Sequence, residues 1–340
     1  MKWHYRLIGA ILLAITLFQA QPLLAQQSGI DPYDFQRNGL SGWQFLKING
    51  SARQAALGGA YTALSMPTAD AIFGNPANLA GIDNIDVFLS RTNWIADIGH
   101  QSAAIAKNVR GIGVFGLSVV AVDMGEMPET INSPIAGETR TEVVVTGNTF
   151  TANDLAVGLS YARSVTDRLY VGGSARWIRE AIADVSMNSV SFDFGTVYYT
   201  GFRSLRLALA ARNLGPDTHL AGWSEEYQAE AVDIRMPIDY RVGLAMDFFE
   251  SASDIHRMTV SVEGLHPNDG PERLNVGAEY WLYDTIALRG GYRFNYDEER
   301  FTLGGGLQHN LGNVGFRASY ALVEFGRLKS VHMFSLGLSF

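Results

Sequence analysis

The sequence predicts an all-β membrane protein, an antiparallel transmembrane β-barrel of about 14 strands with an N-terminal helical hatch or plug. Three observations predict it. The chain is rich in glycine and poor in charge, with 36 Gly in 340 residues and 18% charged residues, where ~7% and ~25% are ordinary. Beyond its opening residues it has nothing approaching the ~18 consecutive apolar residues of a spanning helix. Segment after segment alternates between large apolar and small or polar residues, the period of two that belongs to a strand.

Residues 1–25 read as a secretory leader. Lys2 and Arg6 precede an apolar run from Leu7 to Phe18, and Ala25 offers a small residue at the cut site, with Leu23 less suited to its position. Removing the leader takes Lys2 and Arg6 from the 26 basic residues and none of the 34 acidic ones, so the formal charge moves from −8 to −10. An acidic chain lacks the basic face that nucleic acid requires. The chain has no cysteine, hence no disulfide framework.

Residues 26–49 are expected as a periplasmic segment, 50–84 as the hatch and 85–340 as the barrel. In the hatch, "SARQAALGGA" and "TADAIF" are helix-capable. Thr68 can cap the second piece, and Asp70 suits its positive end. Asn75 can cap a further turn, with Pro76 at its first position and Gly81 just past its end.

Strands are expected at 85–94, 98–107, 111–124, 153–165, 169–182, 190–200, 204–212, 237–249, 257–265, 272–282, 285–296, 300–309, 313–324 and 329–340. The last, "KSVHMFSLGLSF", puts Phe334, Leu336, Leu338 and Phe340 on one face and Met333, Ser335, Gly337 and Ser339 on the other. In "PIDYRVGLAMDFF", Tyr240, Val242 and Leu244 likewise oppose Asp239, Arg241 and Gly243. A greasy face opposite a small, polar one suits a wall between lipid and a narrow, wet lumen. An even count puts both chain ends on one side, taken as periplasmic. Short turns at 165–167, 200–204, 283–285 and 309–313 belong there, and long loops at 125–152 and 213–236 belong outside. Phe248, Phe249, Trp281 and Tyr283 are expected near the periplasmic rim, and Tyr292, Phe294 and Tyr296 near the outer one. Phe340, a terminal aromatic on an alternating strand, resembles the signal read by outer-membrane assembly machinery.

Alternation places ten charged residues in the lumen: Arg206, Arg212, Asp239, Arg241, Asp247, Glu263, Glu279, Arg289, Arg293 and Arg317. A salt-bridge network that closes the barrel and fixes the hatch is the plainer reading, and a ligand path the sharper one. "GIGVFG" matches G-x-G-x-x-G at Gly111, Gly113 and Gly116, but a strand follows it where a nucleotide site needs a helix. The 7 His show no metal spacing, "DEER" at 297–300 reads as a solvated turn, and no nucleophile–base motif stands out. No cofactor, metal or enzymatic activity is expected.

The stretch "FLKINGSARQAALGGAYTALSMPTADAIFGNPANLAG" resembles the opening of the PorV/PorQ family of outer-membrane barrels, which are similar in turn to FadL-type fatty-acid transporters. Both groups carry an Asn-Pro-Ala hatch motif ahead of fourteen strands, matched here by Asn75, Pro76 and Ala77. This chain departs from the pattern at Gly74, where an aromatic is usual, at Asn78, where Gly is usual, and at "SMPTADA", which replaces a more acidic run. The resemblance implies residence in outer-membrane lipid. It also implies a part in type IX secretion, with a translocon and the C-terminal signal domains of cargo as partners. The FadL-like side of it implies a channel for a hydrophobic ligand. A structural or adhesive barrel is the third reading.

Overall fold

The computed structural model describes residues 39–134, 141–219, 223–224, 229–230, 233–249 and 255–340. The expected leader and residues 26–38 of the expected periplasmic segment lie outside them. The chain from residue 85 forms β1 (Ile85–Asn93), β2 (Gly99–Val109), β3 (Gly113–Pro134), β4 (Thr141–Ser164), β5 (Leu169–Ile182), β6 (Val185–Tyr199) and β7 (Arg206–Leu214). It continues through β8 (Asp239–Phe248), β9 (His256–Pro267), β10 (Arg273–Leu282), β11 (Ile286–Phe294), β12 (Glu299–Leu311), β13 (Val314–Phe325) and β14 (Val331–Ser339). These strands make one closed antiparallel barrel in sequence order, with β1 shut against β14 from Asp86↔Ser339 to Asn93↔His332. Closure matters because lipid offers no partner to an unpaired strand edge. No helix among the described residues is long and apolar enough to cross a membrane.

All fourteen expected strands have counterparts, but the longest expected loop does not exist as such. Residues 125–152 mostly continue β3 and β4, which stay paired out to Pro134↔Thr141 with register shifts at Asp123/Glu126 and Pro128/Thr130. Beyond Met124 both faces of this hairpin are largely exposed, Ile131, Val143, Val144 and Val145 among them. One-sided alternation is therefore lost, while β-branched residues still favour a strand. The 213–236 connection holds two short ladders, Thr218–His219 with Asp233–Ile234 and Trp223–Ser224 with Ala229–Glu230.

The two faces separate as the period of two requires. Tyr240, Val242, Leu244, Phe334 and Leu336 are exposed on the outside, and Asp239, Arg241, Met333 and Ser335 are buried inside. Trp281 departs from its expected place on the lipid rim, because it is only 5% exposed inside the barrel. Its ring centre lies 5.4 Å from the Arg289 guanidinium. It follows the inward Glu279 by two residues, so the same alternation should have placed it inside.

Residues 39–84 run through the barrel interior. A short helix, α1 (Ala52–Ala56), ends at Gly58 and Gly59, both at positive φ (67° and 83°), where the Gly59 amide returns to the Gln54 carbonyl at 3.1 Å. Two 3₁₀ turns follow, Ala69–Phe73 and Pro76–Gly81. Thr68 does not cap the first as expected; its hydroxyl donates to Asp70 Oδ1 at 2.5 Å. Asn75 does cap the second, accepting from the Ala77 amide at 3.1 Å, and Gly81 is its last residue, with Ile82 beyond it.

Trp43, Leu57, Tyr61 and Ile72 pack in one buried cluster with wall residues Ala104, Val114, Ile178 and Val197. Inward glycines let backbone meet backbone: a β-carbon on Gly172 would lie 2.6 Å from the Ala77 nitrogen. Gly243 faces inward too, and a β-carbon there would come within 3.0 Å of the Ala63 nitrogen.

Leu244→Arg places a charge on the lipid face and should lower the unfolding free energy of the lipid-reconstituted barrel by about 2–4 kcal/mol if it sits near the bilayer midplane. Gly243→Ser, though lumenal, should cost about 1–3 kcal/mol by overpacking against Ala63. Denaturant titration of both variants checks the pair. A neutral Leu244→Arg would show that the apolar face is not in lipid.

Candidate functional site

The interior segment has little regular structure, so its backbone groups need partners from the wall. Glu263 on β9 accepts from the Tyr61 and Thr62 amides at 2.9 and 2.8 Å. Ser261 donates to the Ala60 carbonyl, Thr302 to Ala56, Arg293 to Gly58 and Arg206 to Ala63, at 2.8, 2.9, 3.1 and 3.2 Å. Asn75 Nδ2 spans the gap, donating to the Thr62 carbonyl at 2.9 Å and to the Thr196 carbonyl on β6 at 3.1 Å. Pro76 and Ala77 rest on Gly172, and Asn75 lies so close to Gly195 that any side chain there would collide with it.

The ten charged positions singled out in the sequence all point inward, but they form separate clusters. Arg241 makes a bidentate pair with Asp239 at 2.7 and 2.9 Å and reaches Glu263 at 3.1 Å. Arg241 and Arg212 both donate to the Tyr61 hydroxyl, at 2.6 and 2.7 Å. Glu279 accepts from Arg289 at 2.6 Å and from Arg53 of α1 at 2.7 and 2.8 Å. Arg206 grips Asp247 at 2.6 and 2.8 Å. Arg293 pairs with Glu299, and Arg317 with Asp86 at 2.5 Å.

Sequence reasoning missed Arg176 and Asp193, paired at 2.6 Å inside β5 and β6, and the carboxylates Asp154 and Glu180. Period two from Ser174 and Ile178 would have placed Arg176 and Glu180 inside. Nothing in the sequence signals which cation each carboxylate meets.

At the end of the barrel opposite β1's start and β14's finish lies a cavity of about 670 Å³. Trp43, Phe45, Trp94, Val122, Met124 and Met187 give it an apolar lining, with Asp154, Glu180 and Arg273 among its polar groups. This size and lining suit a small, largely apolar ligand. Asp239 and Arg241 also line it, so the cluster that holds Tyr61 forms part of its floor.

A strap ahead of α1 closes one side. In the turn between β9 and β10, Asp269 accepts from Lys47 at 2.6 Å, from Gln44 at 3.2 Å and from the Ser41 hydroxyl. Burial pushes the Asp269 carboxyl up, yet the hydrogen bonds from Lys47 and Ser41 and the charge of Lys47 outweigh it and hold the group below its ordinary value.

No protein-family model and no curated protein matches the chain. Solved structures do. It is similar to the CymD monoaromatic hydrocarbon channel (TM-score 0.54, 13% identity, covering 86% of this chain and 98% of that one). It is also similar to the Pseudomonas putida toluene transporter TodX (0.56, 11%, 89% and 98%). A third is a Pseudomonas aeruginosa FadL homologue (0.51, 13%, 86% and 97%). At these identities the likeness shows the fold alone, a barrel of the kind seen in these two channels and the FadL homologue. It gives no support to the narrower PorV/PorQ expectation, or to a translocon and cargo as partners.

Glu279→Gln leaves Arg53 and Arg289 without a carboxylate in the interior and should cost about 3–5 kcal/mol, read as a lower unfolding midpoint. An unchanged midpoint would mean that the cluster does not hold α1. For the strap, a carboxyl held below its unfolded value stabilises above that value and loses the effect as pH falls through its folded one. Docking of residues 41–47 should therefore persist from neutral pH down to about pH 4 and fail only in stronger acid. Limited proteolysis against pH reads this, and Asp269→Asn should dock weakly throughout with no acid transition.

Proposed function

We propose that this barrel is a non-enzymatic outer-membrane channel that binds a hydrophobic solute at its outer end and passes it toward the periplasm. The single observation that carries the reading is the 670 Å³ cavity with aromatic and aliphatic lining above a filled interior. An aqueous pore would present polar walls around open space. Here, in contrast, an interior packed with Leu57, Tyr61 and Ile72 lies below apolar walls. The structural neighbours named as a monoaromatic hydrocarbon channel and a toluene transporter support a solute of this class. Asn75, Pro76 and Ala77 act as the pin of the hatch, and the lumenal charges that bond to it, Arg206, Arg212, Arg241, Glu263, Glu279 and Arg293, act as its sockets. Both chain ends face the periplasm.

Trp43 and Trp94 sit in the cavity wall and report on it. Toluene or decanol titrated into the purified full-length protein in nanodiscs should change tryptophan emission saturably, and Trp43→Phe/Trp94→Phe should remove most of that change. The same protein in planar bilayers should conduct ions poorly. No saturable response, or a large steady conductance, sinks the proposal. For orientation, a cysteine at Asn132 should react with an impermeant thiol reagent on intact cells, and one at Thr166 only after the outer membrane is opened. The reverse pattern would invert the topology.

A further inference from the structure

We propose that the cavity recognises an amphiphile with a cationic amine head, held by Asp154 and Glu180, and an apolar body lying against the aromatic lining. This deepens the proposed function and rests on its reading of the cavity as a solute site. Asp154 on β4 and Glu180 on β5 are direct cross-strand partners, and both line the cavity. Directly opposed residues stand about 4.5–5.5 Å apart at Cβ, where like charges repel.

Other interior carboxylates have partners: Asp86 has Arg317, Asp193 Arg176, Asp247 Arg206 and Glu279 two arginines, while Asp70 is held by the Ser51 and Thr68 hydroxyls. Asp154 is only 6% exposed, and among the described residues it has no hydrogen-bond or ion-pair partner. Glu180 has the Trp43 backbone amide beside it and no cation. Arg176, the inward cation of the same strand, is committed to Asp193 at 2.6 Å and to Asn213 Oδ1 at 2.8 Å.

A buried carboxylate facing a cavity without a partner asks for a donor from outside the protein. An ammonium supplies three donors and a full charge to two adjacent carboxylates. A metal ion fits worse. Hard divalent cations take six or more oxygens, and no cluster of three or more His, Cys, Asp or Glu able to hold one occurs among the described residues.

The cavity's cations do not compete for this pair. Lys47, Arg241 and Arg293 are tied to Asp269, Asp239 and Glu299. Arg273 belongs to β10, five strands on from β5 around the barrel, and lies 4.3 Å over the Tyr296 ring. Val122, Met124 and Met187, close in the sequence of the wall to the acid pair, offer the apolar tail its contact.

The test compares decylamine, decanol and decanoate, alike in tail and different in head, by tryptophan emission of the full-length protein in nanodiscs of uncharged lipid. Decylamine should bind at least about tenfold tighter than decanol, as a charge-assisted bond implies. Asp154→Asn/Glu180→Gln should erase that preference, bringing the decylamine and decanol affinities of the variant together. Since both replacements remove uncompensated charge, the double variant should fold with an unfolding midpoint no lower than the parent's. Equal binding of amine and alcohol by the parent would overturn the inference without use of any variant. Tighter decanoate binding would shift the head site to Arg273 and also overturn it, as would an amine preference that survives the double variant. If decanol binds without an amine preference, this inference alone falls. If no ligand binds, the proposed function falls with it.

Discussion

A fourteen-stranded wall encloses more space than its own inward side chains can fill, and this structure depends on how that space is occupied. Smaller barrels close on their side chains. Here residues 39–84 enter instead, and most of that chain is neither helix nor strand. Every such stretch brings unpaired amides and carbonyls into an interior short of water. The Glu263 carboxylate answers this requirement directly, taking the Tyr61 and Thr62 amides together at 2.9 and 2.8 Å. Arg206, Arg293, Ser261 and Thr302 serve carbonyls in the same way. The charged lumen is thus the hydrogen-bonding complement of an irregular chain. Several of the charges left over are matched in pairs, as Arg176 is with Asp193 and Arg317 with Asp86, whereas Asp154 and Glu180 at the cavity are not.

This arrangement explains which parts of the fold were legible in the sequence. A wall with lipid on one face writes its period of two into every strand, so Leu244 against Gly243 and Phe334 against Met333 sort without error. Where the wall leaves lipid, the constraint ends. The β3–β4 hairpin beyond Met124 is exposed on both faces, and its residues look like a loop although they pair out to Pro134. Trp281 was misassigned by residue type, since aromatics suit interfaces, while its phase with Glu279 held the right answer. Pairing between distant charges was not legible at all: Arg53 and Glu279 lie 226 positions apart, and only closure of the barrel joins them. The cavity was invisible for the same reason, because its lining comes from the strap and from strands all round the barrel.

The Asn-Pro-Ala motif shows how far a resemblance reaches. Its three residues have a geometric duty that can be read here atom by atom. Asn75 caps the turn with its Oδ1 and ties two carbonyls with its Nδ2, Pro76 fixes the first helical φ, and Ala77 is small enough to lie on Gly172. None of these duties refers to a cargo or to a solute. Barrels with different partners can share the motif because they share the problem of seating an irregular segment against a wall. The motif therefore argues for the fold, and function has to come from the site.

The same bonds limit how anything could cross the barrel. Tyr61 is held by Arg212 and Arg241 through its hydroxyl and by Glu263 through its amide. Hydrogen bonds to charged groups contribute about 1.5–3 kcal/mol each, so freeing this one residue would cost several kcal/mol. Withdrawing the whole segment would break the Arg53–Glu279 and Asn75–Thr196 contacts as well and would approach the ~5–15 kcal/mol that stabilises an ordinary domain. Wholesale withdrawal is therefore a poor mechanism for transport. Movement has to be local, and at the cavity's edge the strap is held by its own contacts, Asp269 with Lys47, Gln44 and Ser41 and the buried Trp43, Phe45 and Leu46. Lys47 and Asp239 both line the cavity, so a solute bound there as proposed would touch the strap and the floor at once. In the proposed channel its occupancy would bear on the strap and, through Asp239 and Arg241, on the bond that holds the Tyr61 hydroxyl.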